Sequence, residues 1–159
     1  AIGAAVANPE LRVICLAGDG SSMLNIQELE TIVRYNLNVK IFCLANDGYL
    51  SIKQSQDNFF GRRKGVNKES GLNFLDFQLV CESAGLKYSQ VHSADGIPAL
   101  QKLLSDSGPI FVEVIVDPGQ GFAPKLGSRQ LENGSIVSNS LEYMSPELES
   151  QKINKFFEE

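Results

Sequence analysis

Three apolar runs organise the chain: Leu11–Ala17 (LRVICLA), Val39–Ala45 (VKIFCLA) and Pro109–Val116 (PIFVEVIV). Each is short, nearly continuous and rich in β-branched residues. That pattern predicts parallel strands covered on both faces. A shorter strand is predicted at Lys87–Val91. Helical spacing takes over between the runs. Ile26, Leu29, Ile32 and Val33 recur along one face of Asn25–Tyr35, with Asn36 and Asn38 marking its end. Residues 49–60 read as a helix running into Phe59-Phe60-Gly61. Leu75–Ala84 is amphipathic, with Gly85 where a left-handed cap belongs. Ala94–Ser105 carries Pro98 in its first turn. Residues 1–8 read as the end of a helix stopped by Asn8-Pro9. The stretch 61–73, polar, Gly-containing and bearing Arg62, Arg63 and Lys64, reads as a solvated loop. Strands and helices alternate, which predicts an α/β fold: a doubly wound parallel sheet with helices on both faces, as a single three-layer domain over 1–159. Within it, 120–159 is expected to be an irregular tail with a candidate C-terminal helix at 146–158.

Composition narrows the partners. The net charge is −5 and the pI about 4.9, against the basic surface of a nucleic-acid binder. No apolar stretch reaches the ~18 residues that span a bilayer, so no membrane partner is expected. Cys15, Cys43 and Cys81 lie far apart, with no CxxC and no histidine cluster, which argues against zinc. Cys15 and Cys43 sit in apolar runs and are expected to be buried free thiols, as suits a reducing, cytoplasmic setting. The chain opens in apparent mid-helix with no signal segment, and is expected to be a piece of a longer protein.

The chemistry concentrates in Gly18-Asp19-Gly20-Ser21 and Asn46-Asp47-Gly48-Tyr49. Each motif follows a predicted strand, at the carboxyl end where α/β sheets bind ligands. Gly18 and Gly20 permit a sharp turn and close approach. The amides of Gly20, Ser21 and Ser22, with the Ser21 hydroxyl, suit an oxyanion beside a helix start. Asp19 would repel a bare phosphate, and a divalent cation bridging the two removes the conflict. An acidic protein needs such a metal to neutralise phosphate charge. Asn46 offers a second oxygen and a carbonyl near Gly48 a third, as magnesium's octahedral oxygen shell requires. Gly, Asp, Asn and Ser are also ordinary turn residues, so either motif alone is explained as a strand-to-helix turn. Their pairing one strand-helix-strand repeat apart favours the ligand reading.

These residues resemble the thiamine-diphosphate signature, a GDG…N pattern of this length. "AIGAAVANPELRVICLAGDGSSMLNIQELETIVRYNLNVKIFCLANDGY" is similar to the cofactor-diphosphate half of the acetolactate-synthase-like branch, and "GPIFVEVIVDP" and "MSPEL" to its closing strand and tail. The resemblance implies thiamine diphosphate and Mg2+ as cofactors. The metal ligands would be Asp19, Asn46 and the Gly48 carbonyl. The cofactor contacts would be Gly18, Gly20, Ser21, Ser22, Tyr49 and Leu50. It also implies a pyrimidine-binding domain, on this or a partner chain, supplying the activating Glu. Glu10, Glu28 and Glu30 are not placed for that role, so the catalytic residues are unknown and the fragment alone is expected to be inactive. The implied reaction is decarboxylation of a 2-oxo acid, followed by protonation or carbon–carbon bond formation, in a homodimer or homotetramer. Two alternatives stand beside it: a separate subunit of a two-chain thiamine-diphosphate decarboxylase or oxidoreductase, and a non-catalytic α/β nucleotide-binding module.

Other residues have plainer readings. Tyr49, Leu50 and Ile52 face the thiazolium and substrate, or else Leu50 and Ile52 pack the helix. Gln54 and Gln56 read as exposed helix positions, His92 as a surface or packing residue, and Asp47 as a turn former.

Overall fold

The computed structural model describes residues 1–121, 123–140 and 144–145. The chain divides into two compact units, Ala1–Gly119 and Gln120–Glu159. In the first, α1 (Ile2–Ala7) leads into β1 (Val13–Gly18), α2 (Asp19–Met23), α3 (Glu28–Arg34), β2 (Val39–Ala45) and α4 (Leu50–Phe59). Then come α5 (Phe77–Ala84), β3 (Lys87–Val91), α6 (Ile97–Ser105) and β4 (Ile110–Ile115). The four strands form one parallel sheet in the order β1-β2-β4-β3. Helices lie on both faces, as the alternation predicts.

The main core lies on one face. Cys43, Ile41 and Phe111 of the sheet meet Ala5 of α1, Leu29 and Ile32 of α3, and Phe77 and Cys81 of α5. The Phe77 and Phe111 rings sit 5.3 Å apart. On the other face Val91, Ile110 and Val112 pack with Phe42, Val114, and Leu100 and Leu103 of α6. This second cover stops short of β1. Ile14 is 50% exposed and Leu16 72%, so the expectation of a strand covered on both faces fails for β1. The reason is position: β1 is an edge strand, and α6 follows β3 on the far side of the sheet.

Local sequence explains most boundaries. Asp76 accepts the Leu79 N–H at 3.0 Å and starts α5; Gly85, at φ 70°, ends it in the left-handed conformation. Pro98 lies in the first turn of α6. The helix predicted over Asn25–Tyr35 begins instead as α2 directly after β1, passes through turn residues 24–27, and resumes as α3.

Lys40, on β2, is 1% exposed. Its ammonium donates to the carbonyls of Asp106 at 2.7 Å and Gly108 at 2.5 Å, pinning the α6–β4 connection to the sheet. Burial lowers its pKa below the usual lysine range, assisted by Arg12 and Lys87 and opposed by Asp106. His92 is exposed and hydrogen-bonds Gln90 Oε1 at 2.9 Å, a surface residue as read. No helix among the described residues is long and apolar enough to cross a membrane.

In the second unit, β5 (Lys125–Leu126) pairs with β8 (Met144–Ser145), and β6 (Ser128–Gln130) with β7 (Ile136–Ser138), both antiparallel. The candidate helix at 146–158 lies outside the described residues.

Candidate cofactor and metal site

The register of β1 on β2 sets Ala17 against Cys43 and Gly18 against Leu44. Two adjacent parallel strands thus end level, and the turns that follow them meet. Asp19, 3% exposed, is the joint. Its Oδ2 accepts the Asn46 N–H at 3.1 Å and the Gly48 N–H at 3.0 Å, and its Oδ1 accepts the Gly20 N–H at 2.7 Å. Burial raises the Asp19 pKa above the ordinary carboxylate value of 3.8; backbone N–H groups of Gly20, Gly48, Asn46 and Asp47 pull against that rise. Among the described residues no cationic side chain bonds this desolvated carboxylate.

Asn46 gives its backbone N–H to Asp19, while its side-chain Oδ1 is buried and has no hydrogen-bond partner among the described residues. A buried amide oxygen left unpaired is costly and needs an explanation. Asn38 Oδ1 shares that condition, but Asn38 precedes β2, at the opposite end of the sheet.

Gly48 sits at φ +125°, and an added Cβ would stand 1.9 Å from the Val66 carbonyl oxygen. Only glycine fits there. The Gly48 carbonyl accepts the Leu50 N–H at 3.1 Å and keeps a second lone pair. The Tyr49 ring lies against Gly20, whose absent Cβ would meet Tyr49 Cε1 at 2.5 Å. The two turns are therefore joined by hydrogen bonds and by direct packing. Leu50 is buried and Ile52 is 48% exposed. Ile52 is therefore half in solvent, while Leu50 is enclosed at the start of α4, directly after the second turn.

Gly20 spends its amide on Asp19 instead of an oxyanion, and α2 is only five residues long, too short for a strong dipole. Ser21 is exposed, and the half-buried Ser22 hydroxyl donates to Cys43 Sγ at 3.5 Å. Both serines line a cavity of about 410 Å3 with Cys15, Ala17 and Ile26 among its walls. Cys15 is thus half-buried rather than buried; Cys43 and Cys81 are buried free thiols.

The loop at 61–73 contributes what the sequence pattern hid. Arg62, Arg63 and Lys64 are exposed, as expected of a solvated loop, with Arg63 paired to Asp57 at 2.7 Å. Val66 and Asn67, however, are 1% and 5% exposed. They pack beneath the second turn. The only sequence signal was Asn67-Lys68-Glu69-Ser70 between Gly65 and Gly71, the spacing of a capping box. Gln56, read as an exposed helix position, grips this loop through both the N–H and the carbonyl of Lys64.

The oxygen atoms gathered here are a carboxylate, an amide and backbone carbonyls. Among the described residues no three His, Cys, Asp or Glu side chains cluster to hold a metal. A cation in these turns would rest on one formal charge and on neutral oxygens, a donor set for a hard divalent ion. The unpaired Asn46 Oδ1 fits such an ion.

Residues 1–114 match the family described as "Thiamine pyrophosphate enzyme, C-terminal TPP binding domain". The chain belongs to the thiamine pyrophosphate enzyme family. Within that family it is similar to the acetolactate synthase isozyme 1 large subunit of Escherichia coli K12, at 34% identity over 78% of this chain and 22% of that protein. It is also similar to the acetolactate synthase large subunit of Pyropia yezoensis, at 32% identity over 89% of this chain and 26% of that protein. Among solved structures it resembles the thiamine diphosphate-dependent 4-hydroxybenzoylformate decarboxylase of Rhodococcus jostii RHA1. The TM-score is 0.66 and the identity 28%, covering 74% of this chain and 22% of that one. The chain thus spans about a quarter or less of these proteins. It is an acetolactate-synthase-like thiamine diphosphate-binding domain with the family's parallel α/β fold.

Proposed function

We propose that the two turns anchor the diphosphate of thiamine diphosphate through a magnesium ion, for a protein that decarboxylates or ligates 2-oxo acids. Asp19, Asn46 and the Gly48 carbonyl are the protein ligands. Gly18, Gly20, Ser21, Ser22, Tyr49 and Leu50 form the cofactor wall. The reading rests chiefly on one observation: among the described residues Asn46 has a buried Oδ1 without a partner, on a residue whose own N–H bonds the desolvated Asp19 carboxylate. A divalent ion satisfies both at once. It partners the lone oxygen, and it neutralises a carboxylate that burial disfavours.

When bound, the cofactor supplies the carbon nucleophile for 2-oxo acid chemistry. This chain's residues hold and orient. Asp19 keeps the two turns together through the Asn46 and Gly48 amides, and Tyr49 closes over Gly20. The relatives are four to five times longer, so the 1–159 region is read as a piece of a longer cytoplasmic protein. Its pyrimidine-binding domain carries the activating Glu, and its sites form between paired chains of a homodimer or homotetramer. The piece alone turns over no substrate.

Calorimetry of the chain with thiamine diphosphate plus Mg2+, against ADP plus Mg2+, tests the proposal. Binding of the thiamine form is expected. Losing the charged ligand in Asp19→Ala should weaken it about a hundredfold, on the order of 3 kcal/mol. A preference for ADP, or full affinity in Asp19→Ala, would overturn the assignment.

A further inference from the structure

We propose that the Val66–Ser70 segment is a positioning element for the ion-binding turn, with Asn67 and Ser70 as its positioning residues; the inference rests on the proposed function. Asp19 holds Asn46 and Gly48 through their N–H groups, and the second turn is held from below as well. The Tyr49 N–H donates to the Val66 carbonyl at 2.9 Å. Gly48 lies so close that its missing Cβ would fall 1.9 Å from that oxygen and 3.2 Å from Asn67 Cα. Asp47, at φ +60°, accepts the Lys68 N–H on Oδ1 at 3.3 Å. Asp47, Gly48 and Tyr49 each touch this one segment, so its shape sets where the Gly48 carbonyl points.

That shape is fixed from inside by two side chains. The Ser70 hydroxyl donates to Asn67 Oδ1 at 2.6 Å and accepts the N–H groups of Val66 and Asn67, each at 3.0 Å. Asn67 Oδ1 also accepts the Ser70 N–H at 3.2 Å. Gly65 N–H donates to the Ser70 carbonyl at 2.8 Å, and Leu72 N–H to the Asn67 carbonyl at 3.0 Å. Removing the Ser70 hydroxyl strips the acceptor from two backbone amides and releases the Val66 carbonyl from its fixed direction. The disturbance passes through Val66 to Gly48 and leaves the Asp19–Asn46 contact alone. The ion should then keep two protein ligands and exchange the third, a carbonyl, for water.

The test uses Mn2+ with thiamine diphosphate on the whole chain, read by electron paramagnetic resonance. Outer partners that orient a metal ligand are typically worth 10–100-fold in affinity. Ser70→Ala and Asn67→Ala should therefore weaken Mn2+ about tenfold and change its spectral line shape, whereas Ser70→Thr, which keeps the hydroxyl, should restore both. Full Mn2+ affinity and an unchanged spectrum in Ser70→Ala, beside a binding wild type, would overturn this inference and leave the proposed function standing. A wild type that binds no Mn2+ with thiamine diphosphate would overturn both. Should Ser70→Ala fail to fold, Lys68→Pro makes the same cut elsewhere. It deletes the N–H that holds Asp47, and Asn67, at φ −155° and ψ 176°, already has the extended backbone that precedes proline. Wild-type Mn2+ binding in Lys68→Pro would likewise refute the inference.

Discussion

Gly20→Ala and Tyr49→Ala should show a reversal of sign that the close approach of the two turns demands. Gly20 lies in a helix at ordinary φ, so alanine there is intrinsically favoured by about 1 kcal/mol. Against this, the new Cβ would sit 2.5 Å from Cε1 and 2.6 Å from Cδ1 of Tyr49. Normal carbon contacts are about 3.5–4.0 Å, so the ring must retreat by roughly 1 Å, an overpacking cost of about 1–3 kcal/mol. In the wild-type background Gly20→Ala should thus destabilise by about 1 kcal/mol. In a Tyr49→Ala background the same change should stabilise by about 1 kcal/mol, a coupling near 2 kcal/mol. Urea melts followed by far-UV circular dichroism measure it, since the chain has no tryptophan. For a chain of this size each kcal/mol corresponds to about 2–4 °C in Tm. Gly48→Ala is the contrast. Its clash is with the Val66 backbone oxygen, so strain of about 1–3 kcal/mol and a lost hydrogen bond of about 1 kcal/mol should persist unchanged in a Val66→Ala background. Equal effects of Gly20→Ala with and without the Tyr49 ring would refute the packing argument.

Two further outcomes check the interior. Lys40 has a lowered pKa in the folded chain, so between that value and the ordinary lysine value of 10.5 the unfolded chain binds more protons and stability rises with pH. Lys40→Met should lose this rise, and parallel stability-versus-pH curves for the two proteins would contradict it. Burial pushes the Cys43 and Cys81 thiols up to about 11 and about 12. A disulfide reagent at neutral pH should therefore titrate only the half-buried Cys15 in the native chain and all three thiols in urea; two or more fast thiols in the native state would show the core to be open.

Local signals carried much of the fold. β3 has the predicted bounds, Gly85 caps α5 in the left-handed region, and β1 and β2 end level, bringing Asp19 and Asn46 together. What escaped the sequence depends on neighbours far along the chain. An apolar run such as Leu11–Ala17 says that a strand is apolar, not whether it lies at the centre or the edge, so the bare face of β1 was not visible. Gly18-Asp19-Gly20 reads as a turn ahead of a helix at Asn25–Tyr35, yet α2 starts at Asp19 itself. Val66 and Asn67 sit in a polar, glycine-flanked stretch, and their burial is created by the backbone of Gly48, 18 positions earlier.

The uncovered side of β1 has a consequence for how the isolated chain behaves. Ile14 and Leu16 are exposed on a strand that is an edge of the sheet among the described residues, the arrangement through which sheets add to one another. Two molecules meeting along that edge would extend the ladder and set Leu16 of each beside apolar side chains of the other. Melting curves of this chain should accordingly shift with protein concentration, and a lysine in place of Leu16 should make them concentration-independent.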